Sequence, residues 1–252
     1  MTSAPDHSAQ HSAQRVAELL GEAAQRLTRT VDGLGDEDWS APSLLPGWTR
    51  AHVVAHLALN AEGMARALRG VVADESDADE ARTMYDSDEQ RDSDISDLAT
   101  ADASELRDRL LAGTSAINDA ITAVPPTGWQ GRIERTPGGR TMQTASLPGM
   151  RLREVEIHHV DLGAGYTTAD WSPEFAELLL DAMSRRDATT AFEVKPLDSD
   201  RTWLFGDAEP DAEHPVPVVT GPAADLGWWL TGRPAPETVS CSHGELPEIG
   251  AW

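Results

Sequence analysis

The sequence predicts a mainly α-helical protein with a smaller α+β part: an N-terminal four-helix bundle followed by a small C-terminal α+β domain. Three observations lead there. Stretches with apolar residues at helical spacing fill the first two thirds of the chain, strand-like alternation is confined to the last third, and ionisable residues stand on the packing stripes of two of the helices. A chain of 252 residues suffices for two modest domains, each with its own core. The change of pattern places the bundle at 1–168 and the α+β domain at 169–252.

The first helix follows from Val16, Leu19, Leu20, Ala23, Leu27 and Val31 within Ser12 to Leu34, and Gly35 ends it. After a turn with Trp39, Pro42 and Pro46, Thr49 is placed as the N-cap of a second helix that runs to about Leu68 and closes at Gly70. Asp74 to Asp97 is dense in Asp, Glu and Ser and reads as a solvated loop with at most a short helix. A third long helix begins after Thr100 or Ser104, carries Leu106, Leu110, Leu111, Ile117 and Ile121, and stops at Pro125-Pro126. Gly131 to Thr144 reads as a strand pair around Gly138-Gly139. It feeds a fourth helix from about Thr144 to Leu162, with Pro148 in its first turn and Gly163 as its stop. Beyond Ser172, the sequence predicts a helix over Pro173 to Arg185, strands over Thr190 to Val194, Arg201 to Phe205 and Val216 to Thr220, and a short helix from Pro222 to Leu230.

Composition narrows the function. Acidic residues outnumber basic ones 43 to 20, for a net charge of −23. Nucleic acid and anionic membrane surfaces would be repelled, and an anionic substrate would need locally placed arginines. Lys195 is the sole lysine, so such cations must be arginine. The single cysteine, Cys241, excludes an internal disulfide and a thiolate-rich metal cluster, which fits a reduced compartment. The polar stretch Met1 to Gln14 lacks the apolar core of a signal peptide, and no run approaches the roughly 20 apolar residues of a membrane span. A soluble, cytoplasmic protein is expected.

Two helix stripes carry chemistry. His52 and His56 lie four apart on the second helix, in line with Leu59 and Gly63; the small Gly63 would permit a close helix approach. On the fourth helix Leu147, Met150, Glu154, Ile157, His158 and Asp161 share one stripe. Burying a carboxylate and an imidazole without partners costs several kcal/mol, roughly, so the stripe needs compensation. A divalent cation between facing helices supplies it; the alternative is that the histidines are satisfied core or surface residues and Glu154 forms a solvent-facing ion pair with Arg151 or Arg153. Imidazole with carboxylate suits zinc, and ligand type leaves iron, nickel and cobalt open. Spacing alone does not choose between His52 and His56.

The stretches Leu45-Pro46-Gly47-Trp48-Thr49-Arg50 followed by His56, and Arg153-Glu154-Val155 leading to Ile157-His158 and Val160-Asp161-Leu162-Gly163, resemble the mycothiol-dependent maleylpyruvate isomerase family. The resemblance extends to Gly221 to Arg233 and to Gly244-Glu245-Leu246-Pro247. It implies a DinB-like four-helix bundle joined to a small α+β domain, and it assigns a metal to His56, Glu154 and His158, with His52 outside the ligand set. It also implies that Arg233, in Leu230-Thr231-Gly232-Arg233, binds a carboxylate of the substrate or of an intermediate. No role is carried over for Glu156 or His159; Asp161 is expected either to orient an imidazole or to serve the helix end.

The reaction so implied is the cis-trans isomerisation of maleylpyruvate to fumarylpyruvate in aromatic-ring degradation by the gentisate route, with zinc as the metal and the thiol mycothiol as cosubstrate. A nucleophile must add to the alkene before rotation is possible. Cys241 is flanked by Ser240 and Ser242 with only His243 as a nearby base and reads as a structural or incidental thiol; the resemblance instead implies that the added thiol is the nucleophile. A mycothiol S-transferase on the same metal-binding fold is the first alternative, and a non-catalytic metal- or ligand-binding stress protein the second.

Overall fold

The computed structural model describes residues 7–73, 82–188, 190–206 and 216–250, with side chains from Arg15 onward. The chain divides into two compact units, Met1–Tyr166 and Thr167–Trp252.

In the first unit, helix α1 spans His7–Asp32, α2 Arg50–Ala73, α3 Asp88–Leu98, α4 Ala103–Ala123 and α5 Leu147–Asp161. Helices α1, α2, α4 and α5 form the four-helix bundle, α2 packing along α4 and α1 along α5. Helix α2 is the central member. From Ala51 to Val71 it buries residues around most of its circumference, and a helix apolar all round has to be enclosed by its neighbours. That enclosure also explains its length. Gly70 is buried inside the helix, which continues to Ala73 rather than closing there.

The acidic segment is more ordered than its composition suggests. Residues 74–81 lie outside the described ones, but Ser87 caps α3 by accepting a hydrogen bond from the Gln90 amide (3.0 Å), and the three-turn helix buries Ile95 and Leu98. Asp102 caps α4 in the same way through Glu105 N (2.9 Å), which places the start of that helix between Thr100 and Ser104. Strands β1 (Arg132–Glu134) and β2 (Thr141–Gln143) pair antiparallel, and a short 3-10 turn, Thr144–Ser146, leads into α5 with Pro148 in its first turn.

In the second unit, α6 (Pro173–Met183) packs on α7 (Ala223–Leu230), and α7 lies on a sheet of β3 (Phe192–Pro196), β4 (Trp203–Phe205), β5 (Val218–Gly221) and β6 (Ser240–Cys241). Strand order is β4-β3-β5-β6, with β3 and β5 parallel and the other pairs antiparallel. Phe192 stacks on Phe205 at 4.7 Å between ring centres, and Leu179, Val194, Val219 and Leu226 complete a dry core. The expected strand over Thr190 to Val194 begins two residues later, and Cys241 falls on the extra edge strand β6.

Gly63 does permit a close approach, though by a loop and not by α5. A Cβ there would stand 2.8 Å from the Met84 carbonyl oxygen and 3.2 Å from the Tyr85 ring. The Met84 peptide cannot yield easily, since its oxygen accepts from Arg66 Nη2 (2.6 Å) and its amide donates to Glu134 O (3.0 Å). Alanine gains about 1 kcal/mol of helix propensity over glycine, whereas overpacking against fixed backbone costs about 1–3 kcal/mol. Gly63→Ala should therefore lower the unfolding free energy in urea titration, by about 1 kcal/mol net; a gain in stability would show that the Met84 segment moves freely.

Candidate metal centre

The site begins with the way two helix ends are joined. Gly163 adopts φ 64° and terminates α5, exposing carbonyls that a helix end leaves without partners. Arg50, the first residue of α2, reaches them: its Nε donates to Leu162 O (3.1 Å) and its Nη2 to Gly163 O (2.7 Å), while Nη1 pairs with Asp38. The Leu44 amide adds a bond to Asp161 O (2.7 Å). The two motifs singled out in the sequence are thus fastened to each other where α2 starts and α5 stops.

One and a half turns into α2, His56 meets Glu154 and His158 of α5. The His56 Nε2–H donates to Glu154 Oε2 at 3.0 Å, and His158 Nε2 lies 3.5 Å from the same oxygen. The two imidazoles meet edge to face, 4.5 Å between centres, and one ligand atom from each of the three residues falls within 4.8 Å of the others. Asp161 Oδ2 accepts from His158 Nδ1 at 2.8 Å, which fixes that ring with its Nε2 edge toward Glu154. Trp48 closes one side, its ring centre 5.8 Å from that of His56.

His52 stands apart. Its Nδ1 accepts from the Thr49 hydroxyl (2.8 Å) and lies 3.3 Å from the Thr49 amide, so it helps to secure the start of α2. Arg151 does not pair with Glu154. It is fully buried and donates through Nη1 to Leu57 O and Asn60 Oδ1, both at 2.9 Å, and burial lowers its guanidinium to about 10. Glu156 and His159 face α1: Glu156 accepts from Arg26 and from the Tyr166 hydroxyl (2.6 Å each), and His159 stacks on Tyr166 at 3.6 Å while bonding Thr30 Oγ1 at 2.7 Å.

Sequence reasoning passed over Arg91. It lies on α3 within the acidic stretch, yet it shares a face with the buried Ile95 and Leu98, the i, i+4, i+7 spacing of a packed stripe. Its Nη2 lies 3.1 Å from His56 Nδ1, its Nη1 pairs with Asp92 (2.7 Å), and its guanidinium sits 5.7 Å from the Tyr85 ring centre. Arg233 belongs to the second unit, where it follows Gly232 (φ 81°) at the end of α7; its Nη1 donates to Thr231 O at 3.1 Å and it lies over the Trp228 ring. His243, the base considered for Cys241, hydrogen-bonds the Ser242 hydroxyl (3.0 Å).

Electrostatics separate the three clustered groups. Burial, followed by the charge of His158, pushes His56 down to about 4. Burial would also lower His158, but its bonds to Asp161 and Glu154 prevail and raise it. For Glu154, burial acts upward, and the hydrogen bonds from His158 and His56 overcome it, holding the carboxyl well below its ordinary range. Two imidazole nitrogens converge on an anionic oxygen, with a second carboxylate behind them: that donor set suits a divalent cation.

A helical bundle with two imidazoles and a carboxylate clustered between two of its helices defines a class of metal-binding bundle proteins. The chain belongs to the family described as mycothiol maleylpyruvate isomerase N-terminal domain, whose model matches residues 20–163. Among solved structures it is similar to the crystal structure of the mycothiol-dependent maleylpyruvate isomerase (25% identity, TM-score 0.82). It is also similar to that of a histidine-to-alanine mutant of the enzyme (24%, TM-score 0.81). Each comparison covers 95% of this chain and 97% of the other. No curated protein sequence matches the chain. Among the described residues, no helix is long and apolar enough to cross a membrane.

The depressed His56 has a consequence for the metal-free protein. Its imidazole stays neutral in the fold while the unfolded chain takes up a proton near pH 6.5, so its contribution is fully present above that pH and is lost as pH falls toward 4. Over that window the loss amounts to roughly 3 kcal/mol. In urea titrations of metal-free protein at pH 7 and pH 4, His56→Gln should show a smaller fall in stability than the unsubstituted chain; equal falls would mean that His56 charges freely in the fold.

Proposed function

We propose that this protein is a mycothiol-dependent isomerase that converts maleylpyruvate to fumarylpyruvate. The observation that carries the reading is the convergence of His56, Glu154 and His158 in a chain that belongs to this family. The three residues would hold a divalent cation, with zinc the ion that best suits two imidazoles and a carboxylate. Bound there, the cation supplies Lewis acidity that lowers the pKa of an incoming thiol, so that the reactive thiolate exists at neutral pH.

The chain's residues do the rest. Glu154 contributes the negative charge that balances the cation, and Asp161 keeps the His158 ring oriented by accepting its Nδ1 proton. Trp48 and the buried aliphatic side chains of α2 limit water at the cluster, which strengthens every charge interaction there. Addition of the thiolate sulfur to one alkene carbon forms a C–S bond and moves the π electron pair onto the conjugated carbonyl as an enolate, leaving a C–C single bond that rotates; collapse of the enolate breaks the C–S bond, restores the alkene in its trans form and returns the thiolate. Arg233 is assigned to a carboxylate of the substrate, for which a planar guanidinium offers a bidentate grip. The gentisate route of aromatic-ring cleavage and a cytoplasmic setting complete the reading.

The test is turnover of maleylpyruvate by purified protein with substoichiometric mycothiol. Many turnovers per thiol, none without it, and full activity in Cys241→Ser are the expected results. Stoichiometric capture of mycothiol in a stable adduct would point to an S-transferase, and full thiol-independent activity abolished by Cys241→Ser would overturn the mechanism. Elemental analysis should find metal lost from His56→Ala, Glu154→Ala and His158→Ala and kept in His52→Ala; full retention in His56→Ala would remove it from the ligand set. Arg233→Lys should keep metal and fold and lose most of its turnover, and near-normal kinetics would leave Arg233 without a part in the reaction.

A further inference from the structure

We propose that Arg91 binds a carboxylate of the substrate, leaving His56 for it once the cluster holds its cation. The inference rests on the metal reading above and concerns a residue that the reading does not use.

The two imidazoles of the cluster have opposite partners on their outer nitrogens. Asp161 accepts from Nδ1 of His158, whereas at His56 the outer neighbour is a guanidinium, which can only donate. His56 Nδ1 is therefore an acceptor, and the ring proton sits on Nε2, directed at Glu154. A ring in that tautomer has no Nε2 lone pair to give. For His56 to act as a ligand on the side where Glu154 and His158 converge, its proton must stand on Nδ1, where it would face the N–H groups of Arg91. Metal ligation by His56 and its contact with Arg91 thus exclude each other.

Once displaced, Arg91 needs an acceptor. Its side chain is 17% exposed, and its buried Nε already finds no partner among the described residues. Nη1 keeps Asp92 and the Tyr85 phenol is a further hydrogen-bonding neighbour, so the donors left without a charged acceptor are Nε and Nη2, the two that form one edge of the guanidinium. That edge accepts a carboxylate elsewhere in this chain: Arg109 grips Glu62 through Nε and Nη2 at 2.8 Å each. A substrate carboxylate in the fork of Arg91 would satisfy both donors and could also accept the Nδ1 proton of His56, as Asp161 does for His158. Space is at hand, since Arg91 lines an open cavity of about 430 Å³ with Gly63 and Tyr85, where the further cations Arg66 and Arg69 stand alongside the carboxylates Glu62 and Asp94. On a chain of net charge −23, a cation so placed also answers the need for local arginines at an anionic substrate.

The test is calorimetric titration of succinate, a diacid with no alkene to react, into zinc-loaded full-length protein. Succinate should bind the unsubstituted chain, and Arg91→Gln and Arg91→Lys should keep their zinc while losing affinity about tenfold or more, because lysine cannot form the fork. Equal affinity in the variants, no binding by the unsubstituted chain, or loss of zinc from Arg91→Gln would each overturn the proposal. The titration involves neither thiol nor turnover. Arg91-dependent binding by a protein that fails to isomerise maleylpyruvate would leave this inference standing while the isomerase reading falls; an unsubstituted chain that takes up no zinc brings down the metal reading and this inference with it.

Discussion

The grip of Arg50 on the Leu162 and Gly163 carbonyls, just past the end of α5, sets the register on which the cluster depends. Helix α2 leaves that junction and α5 arrives at it, so the two run in opposite directions. With a rise of about 1.5 Å per residue, His56 stands about 9 Å along α2 from Arg50. Counted back from Leu162, His158 and Glu154 stand about 6 and 12 Å along α5, a mean of about 9 Å. His56 therefore falls at the height midway between its two partners, and its Nε2 reaches a Glu154 oxygen that His158 also approaches. A slip of one turn, about 5.4 Å, would separate them. Gly163 takes part in this register, because the left-handed turn it makes frees the carbonyls that Arg50 holds.

Helix α5 is polar on two sides, and each side has been given its own solution. Toward α2 and α3, Glu154 and His158 form the cluster, with Arg151 a turn earlier held by a main-chain carbonyl and Asn60. Toward α1, Glu156 is held by Arg26 and Tyr166, and His159 by Thr30. Unpaired, each of these buried groups would cost several kcal/mol, roughly, so the helix is locked in rotation as well as in height. Residues adjacent in sequence are divided between a site and its scaffold, and the helical rotation of about 100° per residue divides them.

Much of this was legible before the fold was known. Apolar spacing gave the bundle helices, and the four-residue intervals of His52, His56, Glu154 and His158 marked the two faces that carry chemistry. Spacing could not choose His56 over His52, since both lie on one stripe; the choice depends on how far along α2 the partner helix reaches. Gly70 read as a stop because an isolated glycine weakens a helix, yet burial of α2 on all sides outweighs that local preference. Arg91 was hidden by composition. The eye averages the acidic segment into a solvated loop, whereas the stripe of Arg91, Ile95 and Leu98 turns one side of it inward. Arg151 left no pattern to read, because its partners are a carbonyl in the middle of α2 and a neutral amide.

The chain has two tyrosines, and they flank α5 on its two polar sides. Tyr85 accepts from Asn60, the residue that holds Arg151, and Tyr166 donates to Glu156. Burial raises both phenols above their ordinary range, with Glu154 contributing at Tyr85 and Glu156 at Tyr166. Near pH 10, about the ordinary value of a tyrosine, both rings form less phenolate than an exposed ring would while their flanks are intact. At that pH the near-ultraviolet absorbance of phenolate, suppressed in the folded protein, is thus an intrinsic optical signal for the loosening of α5 from either neighbour, without any added label.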